Sequence, residues 1–69
     1  MTEEEYVLKV CCRNKGRLCD AGVHSRGRYQ NDNSAINALL KEARVLKEIY
    51  DTVQITITQG NRIVYRQYV

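Results

Sequence analysis

Asp51-Thr52-Val53-Gln54-Ile55-Thr56-Ile57-Thr58 alternates without a break, with Val53, Ile55 and Ile57 on one side and Gln54, Thr56 and Thr58 on the other. A period of two built from β-branched residues marks a strand with one buried and one wet face. Gln59-Gly60-Asn61 then supplies turn chemistry, and Arg62 to Val69 returns as a second strand, so a hairpin is predicted. With a three-residue loop over Gln59-Gly60-Asn61, Ile63 and Tyr65 lie opposite Ile57 and Ile55 on the buried face. A two-residue loop at Gly60-Asn61 slips the register and turns Val64, Arg66 and Tyr68 toward the core instead. The three-residue loop is preferred because it leaves Arg62 and Arg66 in water, where an unpaired guanidinium belongs.

Upstream of this hairpin the period changes. Ile36, Leu39, Leu40, Ala43, Leu46 and Tyr50 share one side of a 100° wheel, the stripe of a helix lying on a sheet. Asn31-Asp32-Asn33-Ser34 offers N-cap side chains for its start, and the end is placed near Tyr50-Asp51. Val45 and Ile49, with Ala38 between them in angle, fall off the stripe and are expected to be partly exposed.

Tyr6 to Arg13 alternates more loosely, with Tyr6, Leu8, Val10 and Cys12 on one side. A three-residue turn at Asn14-Lys15-Gly16 leads into a returning strand, Arg17 to Ala21, that fades at Gly22. That register sets Cys11 opposite Cys19 and Cys12 opposite Leu18. Val23 to Gln30 has no period and holds Gly27 between two arginines, so it reads as a flexible connection. The expected fold is α+β: a single ββαββ domain over residues 1–69, one helix on a four-stranded antiparallel sheet, with residues 1–4 frayed.

Length limits what such a fold can do. A chain of 69 residues holds one thin core, and a deep, water-free active site is hard to fit inside it. No apolar run exceeds three residues, far from the roughly 20 that a membrane-spanning helix needs. Met1-Thr2-Glu3-Glu4-Glu5 is acidic where a secretory signal is basic and then apolar, and three cysteines are too few and too odd for a disulfide framework. A cytoplasmic location with reduced thiols is expected.

Chemistry-bearing constellations are sparse. Cys11, Cys12, Cys19 and His24 have zinc-ligand chemistry, but adjacent cysteines on a strand point to opposite faces and no C-x-x-C is present. Cys12 reads as a small core residue, and a cross-strand Cys11–Cys19 disulfide is conceivable only under oxidation. His24 has no triad pattern around it, and Gly16, Gly22, Gly27 and Gly60 form no phosphate-cradling motif. The expectation is no enzyme, no metal and no cofactor.

Surface remains. The chain carries 11 Lys and Arg against 8 Asp and Glu, and the cations crowd into its first half: Lys9, Arg13, Lys15, Arg17, Arg26 and Arg28 face only Asp20 between Lys9 and Arg28. If the first turn and the loop before the helix come together, these groups make phosphate contacts and Tyr29 stacks on a base, the combination used by single-stranded nucleic-acid binders. Arg and Tyr are equally the residues enriched at protein interfaces. Val45 and Ile49 on the helix, and Arg62 and Arg66 on the last strand, extend the candidate binding set. A homodimer through the helix face or an edge strand is a further option.

In size and plan, the chain resembles the small accessory proteins of phages and other mobile elements, among them anti-CRISPR inhibitors. The resemblance implies action by covering a surface of a larger machine. The expected function is therefore a non-catalytic binding protein for a larger protein or nucleoprotein partner. The alternative is direct RNA or DNA binding through the basic loops Arg13 to Arg17 and Arg26 to Tyr29.

Overall fold

The computed structural model describes residues 2–69. Four antiparallel strands form one sheet: β1 (Glu4–Asn14), β2 (Arg17–Tyr29), β3 (Thr52–Gln59) and β4 (Arg62–Tyr68), in the spatial order β2-β1-β3-β4. The helix α1 (Asp32–Arg44) follows β2 and tightens into a 3-10 turn over Val45–Glu48 before β3. The α+β architecture and the ββαββ order are as expected.

One face of the sheet is covered by the helix. Tyr6, Leu8, Val10 and Cys12 of β1 and Val53, Ile55 and Ile57 of β3 are buried there against Ala35, Leu39 and Ala43 of α1. Ile36, Leu40, Leu46 and Tyr50 pack around this core without being fully buried, so the deepest line of the helix lies slightly to one side of the expected stripe. Leu39 is flanked one turn away on each side by alanine. Small side chains at 35 and 43 let the helix approach the sheet closely, and the one large side chain between them fills the gap.

The ends of α1 follow its local chemistry. Asn31 is extended and its side-chain oxygen accepts from the Ser34 N–H at 2.9 Å. No glycine follows at the other end, and Lys47 Nζ donates instead to the Asp51 carbonyl at 2.8 Å as the chain leaves the 3-10 turn.

Both hairpins depart from the predicted loops. The first turn has two residues, Lys15 and Gly16, each with positive φ (53° and 78°), as a type I′ turn requires. Asn14, expected in the turn, belongs to β1 and pairs with Arg17. The turn is also fastened to the start of β3: Asp51 N–H donates to Asn14 Oδ1, and Lys15 N–H donates to Asp51 Oδ2, each at 2.8 Å. A register shift between Cys12 and Arg13 leaves Cys19 as the extra residue of a bulge. Cys11 therefore faces Ala21 and Cys12 faces Asp20, which corrects the expected Cys11–Cys19 and Cys12–Leu18 neighbours.

β2 does not fade at Gly22. It runs thirteen residues to Tyr29, and the expected flexible connection is its second half. Gly22 sits at φ 126°, and a second shift opposite Leu8 and Lys9 leaves His24 as the extra residue. At the other end β1 reaches Glu4, which pairs with Tyr29, and Arg28 donates to the Glu3 carbonyl. Of the segment expected to fray, Glu4 is thus part of the sheet, and Met1 lies outside the described residues.

The second hairpin combines the two weighed alternatives. Its loop is the two-residue Gly60-Asn61, with Gln59 opposite Arg62, and a bulge after Ile63 then restores the facing of the later side chains that the longer loop would have set, with their partners displaced by two residues. Tyr65 lies on the helix side, as expected, but opposite Ile57 rather than Ile55. Ile63 does not: it pairs with Thr58 and is exposed, while Gln67 rather than Tyr65 faces Ile55. Arg66 and Tyr68 take the uncovered face.

Candidate functional site: the open sheet face

The strand pairings lay out the face that the helix leaves uncovered, because residues directly opposite one another share a side of the sheet. One row across it reads Val23, Lys9, Thr56, Arg66; the row on one side reads Arg26, Val7, Thr58, Ile63, and on the other Ala21, Cys11, Gln54, Tyr68. Beyond these lie Leu18 with Arg13 and Thr52 at one end, and Arg28 with Glu5 at the other. With neighbouring strands about 4.8 Å apart, the four strands make a plate about 15 Å across.

Two properties separate this face from the rest of the surface. Its charged groups are Lys9, Arg13, Arg26, Arg28 and Arg66 against Glu5, whereas Glu4, Asp20, Asp32 and Glu42 stand on the helix side of the molecule. Glu5 answers Arg26 only at 3.9 Å, with both side chains more than half exposed, a contact worth little in water. The Lys9 side chain, near the centre, has no hydrogen bond or ion pair among the described residues. The second property is apolar: Leu18 and Val23 on β2, and Ile63 and Tyr68 on β4, are each at least half exposed and stand at the two margins of the plate. The inner strands thus carry Lys9, Arg13 and the hydroxyls and amide of β3, while the two outer strands carry exposed apolar side chains alternating with Arg26, Arg28 and Arg66.

The predicted binding residues divide accordingly. Arg13, Arg26, Arg28 and Arg66 lie on the open face, but strung along it rather than gathered at two touching loops. Arg13 and Arg26 are separated by the β1 stretch from Val7 to Arg13, because what looked like a loop is strand. Arg13 also donates to the Gly16 carbonyl, and Arg66 Nε to Thr56 Oγ1 at 3.4 Å. Lys15 and Arg17 sit at the first turn, with Arg17 opposite Asn14 on the other side of the sheet.

Tyr29 is half-buried and stands on the helix side, away from the open face. Its ring meets Tyr6 edge-on, centroids 6.0 Å apart, and lies over Gly27, where a Cβ would come within 2.6 Å of it. Val45 and Ile49 are exposed, as expected, on a different side of the molecule. Lys9, Leu18, Val23, Ile63 and Tyr68 join the site from the register. Lys9 was legible as a solvent-side residue of β1, but its central place depends on β3 lying beside β1.

Arg62 leaves the binding set altogether. Its guanidinium makes two 3.0 Å contacts with the Asp32 carboxylate at the start of α1, and the Tyr6 hydroxyl donates to the same carboxylate at 2.7 Å. The network ties β1, α1 and β4 together beside a shallow polar depression that also includes Gln30 and Asn33, and its groups are spent on one another. The Arg62 guanidinium first, and the Tyr6 hydroxyl second, hold the Asp32 carboxyl down to about 2 from an ordinary 3.8. The folded-state value is lowered, so this stabilisation is fully present above about pH 4 and is lost as pH falls through about 2. Arg62→Ala is expected to raise the Asp32 carboxyl toward its ordinary value and move acid unfolding to higher pH. Carboxyl NMR titration together with circular dichroism against pH checks both parts; an unmoved Asp32 titration would refute the account.

The thiols and His24 are not gathered into a centre. Cys12 is buried in the core, where burial pushes its thiol up and keeps it protonated; Cys11 is half-buried on the open face, and Cys19 and His24 are exposed bulge residues of β2. Among the described residues, no three His, Cys, Asp or Glu side chains are grouped to hold a metal ion, and no helix is long and apolar enough to cross a membrane. No protein-family model, curated protein or solved structure matches the chain.

Proposed function

We propose that the protein is a non-catalytic binding protein whose open sheet face seats on an acidic surface of a larger protein or nucleoprotein. The observation that carries this reading is the make-up of that face: Lys9 and Arg13 on the inner strand β1, Arg26, Arg28 and Arg66 beside the exposed Leu18, Val23, Ile63 and Tyr68 on the two outer strands, and Glu5 as its acid. Cations there speed encounter with an anionic partner and fix its orientation, and the apolar margins supply desolvation. Direct RNA or DNA binding is the weaker reading, because Tyr29 is turned into the molecule and the middle strands offer no aromatic platform on this face. A cytoplasmic accessory or inhibitor of phage or mobile-element type is the setting this mode of action fits.

The test is a comparison of tagged wild type, a Lys9→Glu/Arg66→Glu variant and a Val45→Asp/Ile49→Asp variant in host lysate treated with nuclease. The captured protein is expected to survive nuclease, to bind the first variant about tenfold or more weakly, and to bind the helix variant normally. Capture abolished by nuclease, with a steep fall of affinity in salt, would transfer the function to nucleic acid. Loss in the helix variant alone would move the site to Val45 and Ile49.

A further inference from the structure

The sheet has two outer strands, and they are protected differently. β2 is broken by bulges at Cys19 and His24 and by Gly22 at φ 126°, devices that twist an edge away from flat pairing. β4 has its one irregularity near Val64, and from Tyr65 to Val69 it is regular, with no proline and no acidic residue.

The phase of that edge is set by one hydrogen bond. The Val69 N–H donates to the Val53 carbonyl at 3.0 Å, so in an antiparallel ladder the N–H and C=O groups of Val69, Gln67 and Tyr65 aim at β3. Those of Arg66 and Tyr68 therefore aim outward, where β4 has no neighbouring strand.

We propose that β4 pairs antiparallel with β4 of a second copy of the chain, about a two-fold axis at Gln67. In this register Arg66 of each copy faces Tyr68 of the other, and the four outward N–H and C=O pairs are all used. A guanidinium beside a tyrosine ring on the open face is a favourable cross-strand pair. On the helix side Tyr65 meets Val69 of the other copy, and the two Gln67 amides lie opposite each other. Centring the axis on Arg66 would set the two guanidinium groups face to face, and centring it on Tyr68 would leave fewer residues paired. The contact is self-complementary in one register.

The assembly is one eight-stranded sheet with both helices on the same side. Its two basic faces run together into a single plate. The contact is small by the standard of stable interfaces, so the dimer forms reversibly and depends on concentration.

Sedimentation of the full chain from about 10 μM to 1 mM is expected to show a monomer–dimer equilibrium. Tyr68→Pro removes an outward N–H without touching the bonds to β3, and is expected to weaken the dimer about tenfold or more. As a second, independent readout, Gln67→Cys in a Cys19→Ser background is expected to crosslink in a thiol–disulfide buffer, because a non-hydrogen-bonded cross-strand pair has the separation a disulfide needs. Val23→Cys in the same background, on the guarded β2 edge, is expected not to crosslink. A protein monomeric at 1 mM with no Gln67→Cys crosslink overturns the proposal. So does a dimer that resists Tyr68→Pro and is lost in Val45→Asp/Ile49→Asp, which would place the contact on the helix. Should Tyr68→Pro fail to fold, the crosslink decides alone.

Discussion

Leu39→Ala is expected to remove about half or more of the protein's stability at room temperature. Leu39 is fully buried at the centre of the single core, and its neighbours along the helix face are Ala35 and Ala43. Neither alanine can swing into the space that the leucine vacates, and the β-branched Val53, Ile55 and Ile57 below are stiff at χ1. The cavity therefore stays open, and the cost belongs in the upper part of the range of about 2–5 kcal/mol seen for such truncations. A domain of this length has roughly 3–10 kcal/mol of stability in total, so the loss consumes about half of it or more. Urea unfolding followed by circular dichroism checks this: the midpoint should fall steeply while the slope is kept. Val45→Ala, on the same helix but more than half exposed, should move the midpoint little. If the two variants cost the same, the helix does not sit on the sheet as described.

Gly22→Ala is expected to cost about 1–3 kcal/mol although the added methyl would touch nothing. No atom lies within 4 Å of the position a Cβ would take, so crowding contributes nothing. The cost is conformational: at φ 126° an L-residue's Cβ collides with its own backbone, and glycine alone escapes this. Gly22 is the point at which β2 turns toward the His24 bulge and keeps its second half paired with β1. Relaxing the strain in an alanine variant would require that half to leave the sheet. Hydrogen exchange should therefore show lost protection between Val23 and Tyr29, with the amides of β3 changed only through the global stability. A uniform change across both strands would count against a local role for Gly22.

The same glycine explains much of what the sequence hides. Residues 53 to 58 announce a strand because nothing interrupts their alternation, and the cap at Asn31 and the apolar side of α1 are equally plain. Between Leu18 and Tyr29 two bulges shift the alternation twice, and Gly22 and Gly27 remove side chains that would have carried it. Period-two reading fails there for a physical reason: an inserted residue flips every side chain after it. The lengths of both turns were hidden similarly. Lys15 at positive φ makes a two-residue turn of a segment that also fits three, and the extra residue near Val64 returns the later side chains to the faces that a three-residue second loop would give them.

The site shared that fate. Exposure of Arg13, Arg26, Arg28, Arg66, Val45 and Ile49 followed from composition and alternation, but which of them act together did not. That depended on β2 continuing to Tyr29 and on β1 lying next to β3. Once both are in place, Arg26 and Arg66 flank Lys9 on one face, Tyr29 turns inward, and Arg62 is taken up by Asp32.

The sheet order also divides the polypeptide into two pieces that meet along a single line. β1 with β2, and β3 with β4, each close over a two-residue turn, and such hairpins form within microseconds. Of the strand pairings, the zip between β1 and β3, from Val7 beside Thr58 to Arg13 beside Thr52, is the one that joins distant parts of the chain. By its sequence separation that zip is the slow pairing of the fold, and α1, which lies between the two hairpins in the chain, is expected to bring it together. A nick between Gln30 and Asn31 would leave two fragments, each with its own hairpin, able to reassemble as a complementing pair.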